Sequence, residues 1–165
     1  MKYHIRQRAW TLREEFIVRD QGGDPAFKIK SRFFHIGDHL IMREHDTRAK
    51  VARIKQKLFH IKPHYAIYRD GTYWAGLHEK LFHISDERFK IKLKNGEVYH
   101  IEGDVLNWDY TVTNERGDLL AAIGQRASLL HDYYGVDIAQ GVDVPFMIAL
   151  AITIEKIREH QIASE

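Results

Sequence analysis

The sequence lacks several features that mark other classes of protein. Its 165 residues include no cysteine, which excludes disulfide bonds and thiolate chemistry. Residues 1–6 form no apolar stretch, so no signal peptide is expected. The apolar run over residues 144–154 would rise only ~16 Å as a helix, about half of a ~30 Å hydrocarbon core. We therefore expect no transmembrane span and a cytoplasmic location.

Motifs of the common enzyme classes are missing as well. The sequence has no glycine-rich nucleotide or phosphate loop, no Gly-x-Ser-x-Gly motif and no His-Glu-x-x-His motif. Serine occurs at only four positions, and no nucleophile, base and orienting group can be named together. The sequence therefore predicts a protein that is not an enzyme and that carries no cofactor.

A repeat of about 24 residues runs along the chain. Phe-His-Ile stands at residues 34–36, 59–61 and 82–84, with looser copies at 10–12, 106–108 and 129–130. A fixed period of this kind indicates one supersecondary unit copied along the chain. Segments beside the copies alternate apolar and polar residues, as in Phe-Lys-Ile-Lys-Leu-Lys at 89–94, which is the pattern of a half-buried strand. Asp-Gly at 70–71 and Asn-Gly at 95–96 are typical of tight hairpin turns. Each copy therefore predicts two antiparallel strands, about twelve in all.

The last segment departs from this pattern. Residues 144–154 are apolar on every side, and a helix of that kind is buried in a protein or in a membrane. Asp143 is expected to cap its N-terminus. Burial inside the protein is the stronger alternative because the run is short. Glu155, Lys156, Arg158 and Glu159 are expected to carry the helix into solvent.

Together, the strands and the helix predict a mainly β fold. A sheet of about twelve strands tends to curl or close, and a closed barrel of that size leaves room for a helix ~10–12 Å across. We predict one domain over residues 1–165, a closed antiparallel barrel around a buried C-terminal helix at about 143 to 160. The alternative is a β-sandwich with the helix packed on one side.

Three stretches resemble the LURP-one-related family. They are Val-Ala-Arg-Ile-Lys-Gln-Lys-Leu-Phe-His-Ile at 51–61, Val-Tyr-His-Ile-Glu-Gly-Asp at 98–104 running into Trp-Asp-Tyr at 108–110, and Leu-Leu-Ala-Ala-Ile-Gly-Gln-Arg at 119–126. The terminal apolar helix fits the same pattern. That family is similar to the tubby C-terminal domain and to the phospholipid scramblases. The resemblance implies a twelve-stranded barrel around a central helix and suggests binding to membrane lipids.

Basic residues are concentrated between residues 28 and 62. Strand alternation places Arg53, Lys55 and Lys57 on one face, opposite Ala52, Ile54 and Leu58. With Lys28 and Lys30, these three are the candidate site for anionic lipid headgroups, where each cation contributes about 1 kcal/mol. The competing interpretation is an ordinary solvated strand face.

The histidines and the acidic residues near the helix raise the question of metal binding. His35, His60 and His83 occupy equivalent places in three repeats, and we expect them to be more exposed than the Phe and Ile residues beside them, on separate hairpins. Ligands that diverge cannot bind zinc, so no metal site is predicted. Asp132, Asp137 and Asp143 are too sparse to predict a calcium site, since calcium prefers six to eight oxygens, and the question stays open.

Three classes of function are compatible with these features. A non-enzymatic module for anionic phospholipid headgroups, peripheral at the membrane, ranks first. A protein-interaction or stress-related scaffold with no lipid ligand is the alternative. Nucleic-acid binding ranks third because Phe34, Phe59, Phe82 and Tyr99 are expected to face the core, where they offer no surface for base stacking.

Overall fold

The computed structural model describes residues 1–10, 13–32, 37–58, 64–78, 88–124 and 133–163. These residues form twelve strands, all paired antiparallel, and one helix. In chain order the elements are β1 (Lys2–Trp10), β2 (Arg13–Asp20), β3 (Pro25–Ser31), β4 (His39–Glu44), β5 (Lys50–Gln56), β6 (His64–Arg69), β7 (Thr72–His78), β8 (Arg88–Lys92), β9 (Val98–Asp104), β10 (Asp109–Thr113), β11 (Leu119–Gly124), β12 (Tyr133–Ile138) and α1 (Val144–Ala163).

The strands form where the sequence alternates. In β8, Phe89 and Ile91 are buried while Lys90 and Lys92 between and beyond them are exposed, as a pleated strand with one face in the core requires. The tight turn between β6 and β7 has positive φ at Asp70 (49°) and at Gly71 (78°). Glycine tolerates that conformation without steric cost, which explains the Asp-Gly pair.

The strands form a single sheet that curls into a barrel. Its order is β7-β6-β5-β4-β3-β2-β1-β12-β11-β10-β9-β8. The two terminal strands of this order approach each other, because Ala75 pairs with Leu93 and the amide of Lys94 donates to the carbonyl of Trp74 at 2.8 Å. The barrel is therefore nearly closed, and the sandwich alternative is wrong.

Helix α1 fills the lumen. The carboxylate of Asp143 accepts a hydrogen bond from the amide of Phe146 at 3.3 Å, which satisfies one of the free donors at the helix start. Every residue from Phe146 to Ile154 is buried. The rings of Trp74 and Tyr99 lie 6.3 and 6.1 Å from the Phe146 ring. The predicted helix of about 143 to 160 is confirmed, and it extends to Ala163.

The repeat corresponds to a pair of strands. The Phe-His-Ile copy at 34–36 lies in the connection between β3 and β4, and the next connection is the turn between β4 and β5. The expected burial of Phe34, Ile36, Phe59, Ile61, Phe82 and Ile84, and the exposure of His35, His60 and His83, lie outside the described residues. Those expectations therefore stay predictions.

Candidate functional site

The candidate cations lie on the outer surface of β3 and β5, with Lys57 one residue past the end of β5. Lys28 pairs in register with Arg43. Lys30 pairs with Ile41, which pairs in turn with Arg53. Residues opposite each other in an antiparallel pair share one face of the sheet. The register therefore brings Lys28, Lys30 and Arg53 together on one surface, although 23 positions separate Lys30 from Arg53 in the sequence.

Strand β5 carries the rest of the site. Ala52 and Ile54 are buried, and Lys55, like Lys57 just past the strand end, is exposed, so the predicted alternation holds from Ala52 to Lys55 and at Lys57. It fails at Leu58, which the pattern placed on the inner face and which is 40% exposed. Leu58 lies beyond the last residue of β5, where the ladder no longer dictates which way a side chain points.

A cleft of about 350 Å³ opens on the same surface beside β3 and β4. It is lined by five cations, which are Lys28, Lys30, Arg32, Arg43 and Arg48, together with Ser31 and His45 and one carboxylate, Glu44. Because cations outnumber the carboxylate, the cleft favours an anion. Sequence reasoning missed Arg32, Arg43 and Arg48 as cleft residues, although the density of basic residues in this segment was a usable signal.

The carboxylates divide the site into two electrostatically distinct parts. Glu15 on β2 lies 2.9 Å from the Nζ of Lys28 and 3.8 Å from that of Lys30, and so offsets part of their charge. Within the described ranges, no carboxylate lies at ion-pair distance from Arg53, Lys55 or Lys57. The positive charge along β5 and just past its end is therefore offset less than that of Lys28 and Lys30.

Two tyrosines extend the site onto β6 and β7. The guanidinium of Arg53 lies 4.5 Å from the centroid of the Tyr68 ring, and the ammonium of Lys57 lies 5.6 Å from that of Tyr73. The two rings meet edge to face at 6.0 Å. The distances of 4.5 Å for Arg53 and 5.6 Å for Lys57 fit cation–π attraction. Neither tyrosine was predicted from the sequence, because Tyr68 meets Arg53 through the register of β5 with β6, and Tyr73 meets Tyr68 through the pairing of β6 with β7, which shifts at Ile67/Tyr68.

A second groove, of about 270 Å³, crosses β1, β12, β11 and β10. Gly124 and Gly135 pair in register at its floor, and Asp109 and Asp137 are among its lining residues. These carboxylates disfavour an anionic ligand, so the basic surface of β3 to β5 is the better anion site.

The C-terminal part of α1 contributes the buried Lys156 to a partly buried ionic cluster. The ammonium of Lys156 contacts carboxylate oxygens of Glu14 at 2.8 Å, Glu159 at 2.9 Å and Asp38 at 3.7 Å. Asp38 also accepts from the hydroxyl of Tyr65 at 2.6 Å. Burial alone would lower the pKa of Lys156, but the three carboxylates outweigh it and raise that pKa above its usual value. Burial raises the pKa of Glu14, and Lys156 opposes that shift.

The prediction that the charged residues carry α1 into solvent is wrong for two of them. Glu155 and Lys156 are only 3% and 7% exposed. Arg158 donates to both oxygens of Glu155, at 2.9 and 2.8 Å, and Trp108 Nε1 donates to Glu155 at 2.6 Å. Paired and hydrogen-bonded charges can stay buried. Arg158 is a neighbour on the same helix, whereas Trp108 comes from a distant part of the chain.

The acidic residues considered for calcium have other partners. Asp143 caps α1 and pairs with Arg69 at 3.1 Å, and Asp137 lies 3.5 Å from the N-terminal ammonium. Asp132 lies outside the described residues. In the part of the chain that the structure describes, no three His, Asp or Glu side chains converge as a metal site requires.

Among the described residues, no helix combines the length and the apolar character that crossing a bilayer demands.

Comparison with known proteins identifies relatives over nearly the whole chain. The uncharacterized protein YxjI of Bacillus subtilis (strain 168) is 26% identical over 153 residues, 93% of this chain and 91% of that protein. An X-ray structure of an Arabidopsis thaliana protein has a similar fold, with a TM-score of 0.62 at 14% identity, over 94% of this chain and 91% of that one. The sequence model of the LURP-one-related proteins matches residues 1–155. Since that match takes in all twelve strands and most of the helix, the chain belongs to the LURP-one-related family.

Proposed function

We propose that this protein is a binding module for anionic phospholipid headgroups, which it contacts through the outer surface of β3, β4 and β5. The observation that carries the proposal is the row of uncompensated cations Arg53, Lys55 and Lys57 beside a cleft lined by five further cations. A cation close to an anionic leaflet contributes about 1 kcal/mol. Several cations on one surface therefore give useful affinity without a deep pocket.

In this proposal residues 1–165 act as one domain that binds without catalysis. The lumen, where a substrate would enter a barrel of this size, is filled by α1. The protein would work in the cytoplasm as a peripheral partner of the membrane surface, with its helix retained inside the barrel.

The direct test removes two exposed cations of the site. Lys55→Gln/Lys57→Gln should weaken binding to phosphatidylcholine vesicles containing phosphatidylserine by about thirtyfold, the equivalent of about 1 kcal/mol for each lysine. Vesicle flotation at low ionic strength measures the effect. Vesicles of phosphatidylcholine alone should bind neither form. If the wild-type protein did not bind anionic vesicles, the proposal would be overturned, and the protein-interaction scaffold would be the better hypothesis.

A control with the same change of charge uses two exposed cations outside the candidate site, one on β8 and one in the turn between β10 and β11. Arg88 and Arg116 are 80% and 83% exposed and pair with Glu102 at 3.0 Å and Asp118 at 3.1 Å. Because those carboxylates already offset them, Arg88→Gln/Arg116→Gln should bind anionic vesicles nearly as well as the wild type. Equal losses in the two double variants would indicate a response to net charge rather than to a site.

Removing the carboxylate at the edge of the site should have the opposite effect. Glu15→Gln releases Lys28 and Lys30 from their ion pairs, so binding to anionic vesicles should tighten by up to about fivefold, the equivalent of about 1 kcal/mol. Glu115→Gln, in the exposed turn between β10 and β11, makes the same change in net charge and should have little effect. Unchanged binding by Glu15→Gln would remove Lys28 and Lys30 from the site.

A further inference from the structure

The candidate surface contains a continuous row of side chains that circles part of the barrel. Lys30, Ile41, Arg53, Tyr68 and Tyr73 pair in register from β3 to β7. Lys30 is exposed, and the other four are partly exposed. The row therefore combines charged, apolar and aromatic side chains on five adjacent strands, and Arg53 stands at its centre.

The aromatic end of the row lies along the sheet. A Cβ atom added to Gly76 on β7 would come within 2.7 Å of the Tyr73 hydroxyl, so the Tyr73 side chain extends over the position that this glycine leaves empty. Gly76 pairs with Ala66 on β6, another small residue. The Tyr73 hydroxyl thus lies over Gly76, and its ring meets that of Tyr68 edge to face.

We infer that Tyr68, Tyr73 and Ile41 are interfacial anchors of the membrane-binding surface, so that the barrel docks on its flank and not by either end of α1. The inference rests on the proposed function and adds to it the residues that enter the headgroup region. Tyrosine suits that depth because its ring is apolar and its hydroxyl is polar. Arg53 and Lys57, beside the rings, supply the charge that an anionic leaflet attracts.

The same residues favour a membrane over a nucleic acid. A base stacks on an aromatic ring through a free face. The guanidinium of Arg53 covers one face of Tyr68, and Tyr68 and Tyr73 contact each other. A stacked base would therefore have to displace interactions already present. Insertion into a headgroup layer needs only those parts of the rings that are already exposed.

The test separates the aromatic contribution from the charge. Tyr68→Ala/Tyr73→Ala should lower partitioning onto phosphatidylserine-containing vesicles about tenfold, the change expected if roughly 50 Å² of apolar ring area leaves the interface. The loss should be similar at about 0.01 M and about 0.15 M salt, because salt screens charges and not apolar contacts. Lys55→Gln/Lys57→Gln should instead lose most at low salt. Leu119→Ala, at a position 53% exposed on β11, is the apolar control and should bind as the wild type does.

The outcomes distinguish this inference from the proposal beneath it. If wild type binds anionic vesicles and the tyrosine double variant binds equally well, the inference fails and the proposed function stands. If wild type binds no vesicle, both fail. If the double variant loses its cooperative thermal unfolding, Tyr73→Ser replaces it, with an expected loss of about threefold, and wild-type binding by that variant would overturn the inference. The inference would also be overturned if Tyr68→Ala/Tyr73→Ala lost binding to a single-stranded oligonucleotide but kept wild-type binding to vesicles.

Discussion

Leu150→Lys should abolish cooperative folding of the protein. Leu150 is fully buried in α1, at the centre of the barrel. Truncating a buried leucine already costs about 2–5 kcal/mol, and an unpaired charge in an apolar interior adds a larger penalty. The sum is comparable with the total stability of ~5–15 kcal/mol of a typical domain. Thermal unfolding followed by circular dichroism should show no cooperative transition, and the expressed chain should be insoluble or unfolded.

The matched control lies on the same helix. Ile162→Lys introduces the same charge at a position 51% exposed, where surface substitutions usually change the free energy of unfolding by less than about 0.5 kcal/mol. Deleting residues 143–165 should have the same effect as Leu150→Lys, because it empties the lumen. A truncated chain that unfolds cooperatively and loses only membrane binding would contradict the buried helix and support a detachable anchor.

Lys156→Met should destabilise the fold by at most about 3–5 kcal/mol, the range for a fully buried pair, because it leaves three partly buried carboxylates without their cation. Glu14, Glu159 and Asp38 all contact the Lys156 ammonium and come from β2, α1 and the segment before β4. Chemical denaturation at pH 7 measures the loss. Arg116→Met, which breaks an exposed pair with Asp118, should leave the unfolding midpoint nearly unchanged.

The Lys156→Met variant should also respond to pH in a definite direction. Burial raises the pKa of Glu14 above its usual value, and Lys156 opposes that shift, so removing the lysine raises this pKa further. A carboxyl whose pKa is higher in the folded state binds more protons there than in the unfolded state. The variant should therefore regain stability as the pH falls from 7 through the folded pKa. Adding Glu14→Gln should restore part of the lost stability at pH 7. If the Lys156→Met single variant were as stable as the wild type at pH 7, the cluster would contribute little to the stability of the fold.

Local sequence patterns were sufficient to predict most of the architecture. Alternation in β8, the Asp-Gly turn after β6 and the apolar run of α1 each depend on neighbouring residues only. Strand and helix periodicities are local properties, so they can be recognised in the sequence without knowledge of the fold. The barrel then followed from counting the strands, because a sheet of that size has to hide its edges.

Only part of the candidate site could be predicted from the sequence. The alternation of Arg53, Lys55 and Lys57 was predictable, since it belongs to one strand. Their relation to Glu15, Tyr68 and Tyr73 was not, because it depends on the register of six neighbouring strands, in which three of the five pairings are irregular. A shift of one residue would turn every side chain of a strand to the other face.

The sequence by itself determined the repeated strand pairs, the capped apolar helix and the basic segment, because each depends only on the pattern of residues close together in the chain. Only the tertiary structure decided which charges are free. Lys156 and Glu155 belong to a charged run that suggests solvent, yet both are buried, because Glu14, Asp38 and Trp108 converge on them from other elements. Whether a charge is exposed depends on the partners that the fold brings to it, and those partners lie up to 142 positions away along the chain.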